Sequence, residues 1–207
     1  MDLLIRRARR KDKRDVLAAV RTLWGGNDRI PDVFDSWVTH RTGPFFVAES
    51  AGRVVGMGKL TVVSPSEAWL EGGRVAPRWR RKGIATALIA HRIAYARERG
   101  FRVLRFSTAS DNTPIHRAAR TFGFTRAAVL GDRYEGSLMV VAIGGRRRAL
   151  TALLRGLRAE AERRRLEDVS FYASNAAERS AAREAGYRRP WSGETYLCEK
   201  RLTGRTV

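Results

Sequence analysis

Val75-Ala76-Pro77-Arg78-Trp79-Arg80-Arg81-Lys82-Gly83-Ile84-Ala85-Thr86-Ala87-Leu88 is the stretch on which the reading of this chain turns. A strand-like run ends at Pro77 and a helical pattern opens at Gly83, with a short basic loop between them. A helix that begins in this way leaves its first backbone N–H groups unpaired and turns the positive end of its dipole toward the loop. Arg80, Arg81 and Lys82 add three positive side chains. Loop, dipole and charge together form a pyrophosphate cradle on physical grounds alone. The plainer reading of the same spacing is an ordinary strand–helix connection with exposed basic residues.

Upstream of the loop, Leu3 to Arg9 alternates as an opening strand, and Asp12 is placed to cap a helix running to about Trp24. A second short helix follows Pro31, with Val33, Phe34, Trp37 and Val38 at helical spacing. The period then changes to two. Phe45 to Glu49, Val54 to Val63 and Ala68 to Val75 read as three successive strands, with Gly56 and Gly58 marking a bulge or a close backbone approach. Downstream, Gly83 to Arg99 is a strong helix with Ile84, Leu88, His91 and Tyr95 on one face. Val103 to Thr108 is a buried strand, a helix starts at Asp111-Asn112-Thr113-Pro114 and ends at Gly123, and strands follow near 124–130 and 134–143. The order is β-α-α-β-β-β-α-β-α-β-β.

The last third echoes the middle third. Ala118-Ala119-Arg120-Thr121-Phe122-Gly123-Phe124 aligns with Ala181-Ala182-Arg183-Glu184-Ala185-Gly186-Tyr187, and each copy reads helix, strand, helix ending in Gly-aromatic, then strand. Asn175 or Ser174 caps the second of these later helices. The later copy has Arg148 where the earlier has Gly83, so a single cofactor site is expected, in the first copy.

Composition sets outer bounds. The 207 residues suffice for one domain with a small lobe, and 43% hydrophobic content suits a folded chain. No apolar run approaches membrane-spanning length, and the N-terminus lacks the features of a signal peptide. The lone Cys198 excludes an intrachain disulfide and a cysteine-rich metal site, so a cytoplasmic setting is expected. His40, His91 and His116 are scattered, and no metal site is expected. Forty-one basic against 21 acidic residues give a net charge of +20, which attracts polyanions. The arginines are spread along the chain, which favours a solvated basic surface over a nucleic-acid interface.

Arg80-x-x-Gly83-x-Ala85, preceded by Val75-x-Pro77 and followed by Asn112 ahead of Gly123-Phe124, resembles the acetyl-CoA loop and following motif of the GNAT (GCN5-related N-acetyltransferase) superfamily. The element order is similar too, and Glu199-Lys200-Arg201-Leu202 resembles the family's terminal strand. The resemblance implies an α/β (α+β) fold with a mixed, splayed β-sheet flanked by helices, plus a small C-terminal α/β lobe. Residues 1–143 would be the acetyltransferase domain and 144–207 a degenerate half-copy. It implies acetyl-CoA as co-substrate, held by Val75, Arg80, Arg81, Lys82, Gly83, Ile84, Ala85, Thr86 and Asn112. It also implies acetyl transfer to a primary amine by direct attack, with an oxyanion donor near Val75.

Glu71 is the candidate general base. It stands four residues before Val75, so at period two both point to the same sheet face. The family's usual tyrosine acid is replaced by Ala119, and His116, three residues earlier, is the candidate substitute. Glu71 as an anchoring carboxylate and His116 as a packed histidine are the plainer readings. His91 and Tyr95 read as core; Trp37 and Trp69 are candidates to border an acceptor pocket, with buried aromatics the plainer reading. The acceptor is a small-molecule or peptide amine, with no membrane partner expected, and a homodimer is open. Two rival functions stand beside this one: a non-catalytic acyl-CoA-binding module, and a basic nucleic-acid or ribosome-associated protein.

Overall fold

The computed structural model describes residues 2–39, 43–130, 132–134, 138–140, 146–164, 169–173, 175–187 and 195–202. The alternating runs of the first part fold as β1 (Leu4–Arg7), β2 (Phe45–Ser50), β3 (Arg53–Ser64), β4 (Glu67–Val75), β5 (Val103–Ala109) and β6 (Thr125–Leu130). The helical patterns fold as α1 (Lys13–Val20), α2 (Ile30–Thr39), α3 (Ile84–Glu98) and α4 (Thr113–Thr121). Then come β7 (Asp132–Tyr134), β8 (Leu138–Val140), α5 (Arg147–Arg163), β9 (Val169–Ala173), α6 (Ala176–Glu184) and β10 (Thr195–Arg201).

Seven strands form one mixed sheet in the order β1-β2-β3-β4-β5-β10-β6. The first four pair antiparallel, and β4 pairs parallel with β5. β2 is apolar on both sides because both sides are covered. Phe45 and Val47 join Val16, Val20, Ile30, Phe34, Trp37 and Met57 on the α1/α2 face. Phe46 and Ala48 join Ile84 and Leu88 of α3 on the other. Each buried Val, Leu, Ile, Phe or Met among them contributes roughly 1.5–3 kcal/mol. Among the described residues, no helix is long and apolar enough to cross a membrane.

Local rules gave way to distant partners in three places. Asp12 does not cap α1 with its side chain. Its carboxylate accepts from the Arg9 N–H (2.7 Å) and from both terminal nitrogens of Arg6 (2.7 and 2.8 Å), and Arg6 also reaches Glu49. A guanidinium fork offers a carboxylate stronger bonds than helix N–H groups do. Helix α1 stops at Val20, and Leu23–Gly26 form a separate 3-10 turn rather than its last turn. The strand expected over 134–143 is replaced by β7 and β8, which lie on opposite sides of β9.

The chain divides into two compact units, Met1–Phe106 with His116–Thr125 and Glu199–Val207, and Ser107–Ile115 with Arg126–Cys198. This is not a cut at 143/144. The end of the chain returns to the first sheet: the Leu202 N–H donates to the Arg102 carbonyl (2.7 Å), and Arg105 binds Glu199 (2.8 Å). Within the second unit, β7, β9 and β8 form a small sheet, and Leu150, Leu154, Phe171, Ala173, Ala181 and Ala182 form its core with α5 and α6. Asn175, not Ser174, caps α6, in a reciprocal box with Glu178.

The order β4-α3-β5-α4, with parallel flanking strands, recurs as β8-α5-β9-α6. The end caps recur as well. Gly123 (φ 71°) is followed by a Phe124 N–H bonded to the Ala119 carbonyl (2.9 Å). Gly186 (φ 80°) is followed by a Tyr187 N–H bonded to the Ala182 carbonyl (3.0 Å).

Candidate functional site

The basic loop leads into α3 as its sequence suggests. Pro77–Trp79 make one 3-10 turn, Arg81 takes a left-handed conformation (φ 61°), and Gly83 (φ 78°) stands at the N-cap. No side chain caps the helix, and its first internal bond runs from the Ala87 N–H to the Gly83 carbonyl (2.9 Å). The N–H groups of Ile84, Ala85 and Thr86 therefore have no acceptor within the helix. No atom lies within 4 Å of where a Gly83 Cβ would stand. The Ile84 side chain is buried, and a Cβ on Gly56 would come within 2.9 Å of it, so Gly56 sets how closely α3 approaches the sheet. Arg80, Arg81, Lys82, Ala85 and Thr86 are exposed. Arg80 Nε donates to the Val75 carbonyl (3.5 Å), and Lys82 Nζ lies 4.8 Å above the Trp79 ring. Orphan donors, dipole and three cations suit a diphosphate.

The parallel pairing of β4 with β5 stops at Trp69↔Arg105. Among the described residues, β4 from Leu70 to Val75 has a strand partner on its β3 side alone, so the sheet splays at the end where the loop begins. Arg105 closes the base of the splay with ion pairs to Glu67 and Glu199.

A bulge breaks β4 just before the loop. Met57 faces Arg74 and Lys59 faces Glu71, so Gly72 and Gly73 together oppose Gly58. One extra residue reverses the alternation. Glu71 and Val75 accordingly lie on opposite faces, not on one. Val75 packs with Ile84 and Leu88, whereas Glu71 is paired with Lys59 on the face of Trp37 and Phe45. Gly72 is left-handed (φ 64°), and a Cβ there would lie 2.7 Å from Trp37 Cη2 and closer still to Cζ3.

Glu71 is half-buried and accepts a hydrogen bond from the Thr61 hydroxyl. Buried Lys59 donates to the Gly43 carbonyl (3.1 Å) and lies 5.8 Å from the centre of the Trp37 ring. Burial pulls the Lys59 ammonium below its usual value, against the opposing pull of Glu71. Trp37 and Trp69 are both buried, as aromatic core. This side of the bulge can hold a cation at Glu71, with Thr61 orienting the carboxylate. Arg74, just past the bulge, binds the buried Asp28 (2.7 Å), whose other oxygen takes the Ile30 N–H (2.9 Å).

Other expected residues have separate local settings. Asn112 donates to the Thr108 hydroxyl (2.9 Å) just ahead of α4. His116 is half-buried on α4, and Ala119 is buried. His91 and Tyr95 both meet Phe46 edge to face, at 4.7 and 5.4 Å. Burial pushes the His91 imidazole below its usual value and the Cys198 thiol above its own. His40 lies outside the described residues. Among the described residues, no group of three or more His, Cys, Asp and Glu could hold a metal ion.

One residue went unread. Arg92 is buried (4% exposed) on the sheet-facing side of α3, and its guanidinium lies against the bulge. The signal was present: 84, 88 and 92 form one stripe at helical spacing, and the third member is charged.

Residues 6–124 match the profile of the acetyltransferase (GNAT) family. The histidine N-acetyltransferase of Scomber australasicus is 31% identical over 83 residues, 40% of this chain and 25% of that protein. The probable N-acetyltransferase 16 of Homo sapiens is 27% identical over 146 residues, 69% of this chain and 39% of that protein. The chain thus spans well under half the length of these relatives. Among solved structures, the ribosomal-protein-S18-alanine N-acetyltransferase from Escherichia coli superposes with a TM-score of 0.60 at 14% identity, covering 100% of this chain and 99% of that one. The yncA structure from Salmonella typhimurium, with its cofactor acetyl-CoA, gives 0.60 at 16% identity, covering 100% and 98%.

Proposed function

The chain belongs to the acetyltransferase (GNAT) family, and from that premise we propose that it transfers an acetyl group from acetyl-CoA to a primary amine. The observation that carries the reading is the uncapped, open start of α3 at Gly83, beside the unpaired edge of β4. In this reading the N–H groups of residues 84–86 hold the pyrophosphate, with Arg80, Arg81 and Lys82 adding field. Acetyl-CoA supplies a thioester carbonyl and a thiolate leaving group. The unpaired edge of β4 near Val75 offers backbone donors to the carbonyl oxygen as charge develops on it.

Glu71 binds the cationic amine and passes its proton to solvent, so that neutral nitrogen attacks the carbonyl carbon; the N–C bond forms, the C–S bond breaks, and the nitrogen gives up its second proton to the freed Glu71 carboxylate as the amide forms. His116 is the proposed donor of a proton to the departing sulfur. The relatives named for histidine place amino acids, histidine first, at the head of the acceptor screen, ahead of peptide N-termini. Ala119 favours one second reading, a module that binds acyl-CoA without turnover, because the family's usual acid is missing there.

Calorimetric titration of acetyl-CoA into the wild type and Gly83→Glu tests the site. Binding that disappears in the variant supports it, and equal binding by both proteins sinks it. A thiol-release assay across amino acids then separates enzyme from binding module.

A further inference from the structure

Helix α3 carries the cofactor loop at its start and a buried arginine two turns on. Arg92 Nε donates to its own helix at the Leu88 carbonyl (3.1 Å). Its Nη1 donates to the Lys59 carbonyl (3.2 Å) and to the Glu71 carbonyl (3.3 Å). Those two carbonyls flank the bulge, one on each strand. The sheet is shaped to receive the group: a Cβ on Gly58 would lie 2.8 Å from Arg92 Cζ and Nη1, and one on Gly73 would lie 3.9 Å from Nη2. The guanidinium therefore spans the bulge from β3 to β4, in space that side chains would otherwise fill.

Among the described residues, no carboxylate is paired with it. Burial pulls it down to about 10, so it stays charged at neutral pH. A buried, unpaired cation is an expensive way to fill a core position that an aliphatic side chain would fill more cheaply. What an aliphatic side chain lacks is a donor: Nη1 alone reaches both carbonyls, while Nε, bonded to the Leu88 carbonyl, fixes the plane of the guanidinium. The bulge sets which face Glu71 occupies and where the amides after Gly73 point.

We propose that Arg92 is a positioning residue that fixes the β4 bulge from the loop-bearing helix and so holds Glu71 toward the acceptor. Only the consequence for turnover rests on the acetyltransferase reading; the grip on the bulge does not.

The test compares wild type, Arg92→Lys, Arg92→Met, Glu71→Gln and Arg92→Lys/Glu71→Gln by steady-state kinetics and amide hydrogen exchange, with circular dichroism to verify folding. Arg92→Lys keeps the charge and loses the planar guanidinium with its Nε anchor. It is expected to lower kcat about tenfold while KM for acetyl-CoA moves less than about threefold. In the Glu71→Gln background the same change is expected to cost less than about twofold, because both act through one carboxylate. In Arg92→Met, exchange at residues 71–75 should rise about tenfold or more while Phe45–Ala48 stay protected.

Losses that simply multiply in the double variant, or unchanged exchange at the bulge, would overturn the proposal. Wild-type kcat in Glu71→Gln would remove Glu71 as base. The exchange data alone would then decide whether Arg92 holds the bulge.

Discussion

Replacing Gly72 with alanine should be among the most damaging single-methyl changes in this protein. Two costs act together. The residue sits at φ 64°, where a Cβ costs about 1–2 kcal/mol. The added methyl would also stand 2.7 Å from Trp37 Cη2. That ring cannot step back freely: it is buried, and its edge-to-face contact with Phe45 is already at 5.3 Å. Forcing it away is overpacking, worth about 1–3 kcal/mol. Gly83→Ala isolates the first cost, since it shares the left-handed backbone (φ 78°) and meets nothing within 4 Å. Urea unfolding followed by circular dichroism should place Gly72→Ala about 1–3 kcal/mol below Gly83→Ala. Adding Trp37→Ala should cancel that difference in a double-mutant cycle, whatever Trp37→Ala costs by itself. Equal destabilisation by the two alanines, or strict additivity with Trp37→Ala, would refute the claim that the bulge and the Trp37 ring are fitted to each other.

Charge removal at the loop should be mild: Arg81→Ala and Lys82→Ala are each expected to weaken acetyl-CoA binding by no more than about tenfold in calorimetry, because the donors are mainly backbone. Asp28→Ala should cost about 2 kcal/mol in urea unfolding, since it removes the buried acceptor of Arg74 Nε and frees the Ile30 N–H; a loss under about 1 kcal/mol would count against a structural pair there. Stability should fall on acidification in two steps, read as melting temperature against pH. Burial, aided by the Arg92 charge, holds the His91 imidazole low, so its contribution is full above about pH 6.5 and is lost as pH falls through the depressed folded value. Burial by itself would raise the Asp12 carboxyl, but the bonds from Arg6 and the Arg9 N–H outweigh it and hold it low; its contribution is full above about pH 3.9 and lost below. His91→Phe should remove the first step and leave the second.

The conformation of the loop at 77–83 was legible because everything that shapes it is local. Pro77 ends a strand, Gly83 supplies a positive φ, and the helix from Ile84 follows at once. The face of Glu71 was not legible. Gly72-Gly73 advertises an irregularity, but which strand holds the extra residue depends on the register against β3, and that register is a relation between two segments. Asp12 fails for a related reason. Its position satisfies the cap rule, yet Arg6 and, through it, Glu49 across the β1–β2 pair decide where the carboxylate points. Arg92 is different again. Its place on the Ile84–Leu88 stripe and the glycine at 58 were both visible, and only their conjunction explains a charge inside the core.

The domain boundary shows how far a repeat can be read from sequence. Two series of strand, helix, strand, helix follow one another along the chain, and each is succeeded by further strand sequence. Reading them as consecutive blocks assigns every strand to the block in which it is written. The sheets do otherwise: β7, written after the first series, pairs with β9 of the second, and β10, written after the second, lies between β5 and β6 of the first. Alternation of apolar residues says that a strand has a buried face, and nothing about which free edge it will join. When two similar series present similar edges, pattern cannot choose between them. Specific charge can. Arg105 in β5 holds Glu199 of β10 at 2.8 Å and is also paired with Glu67 of β4, so charge ties the terminal strand to the first sheet.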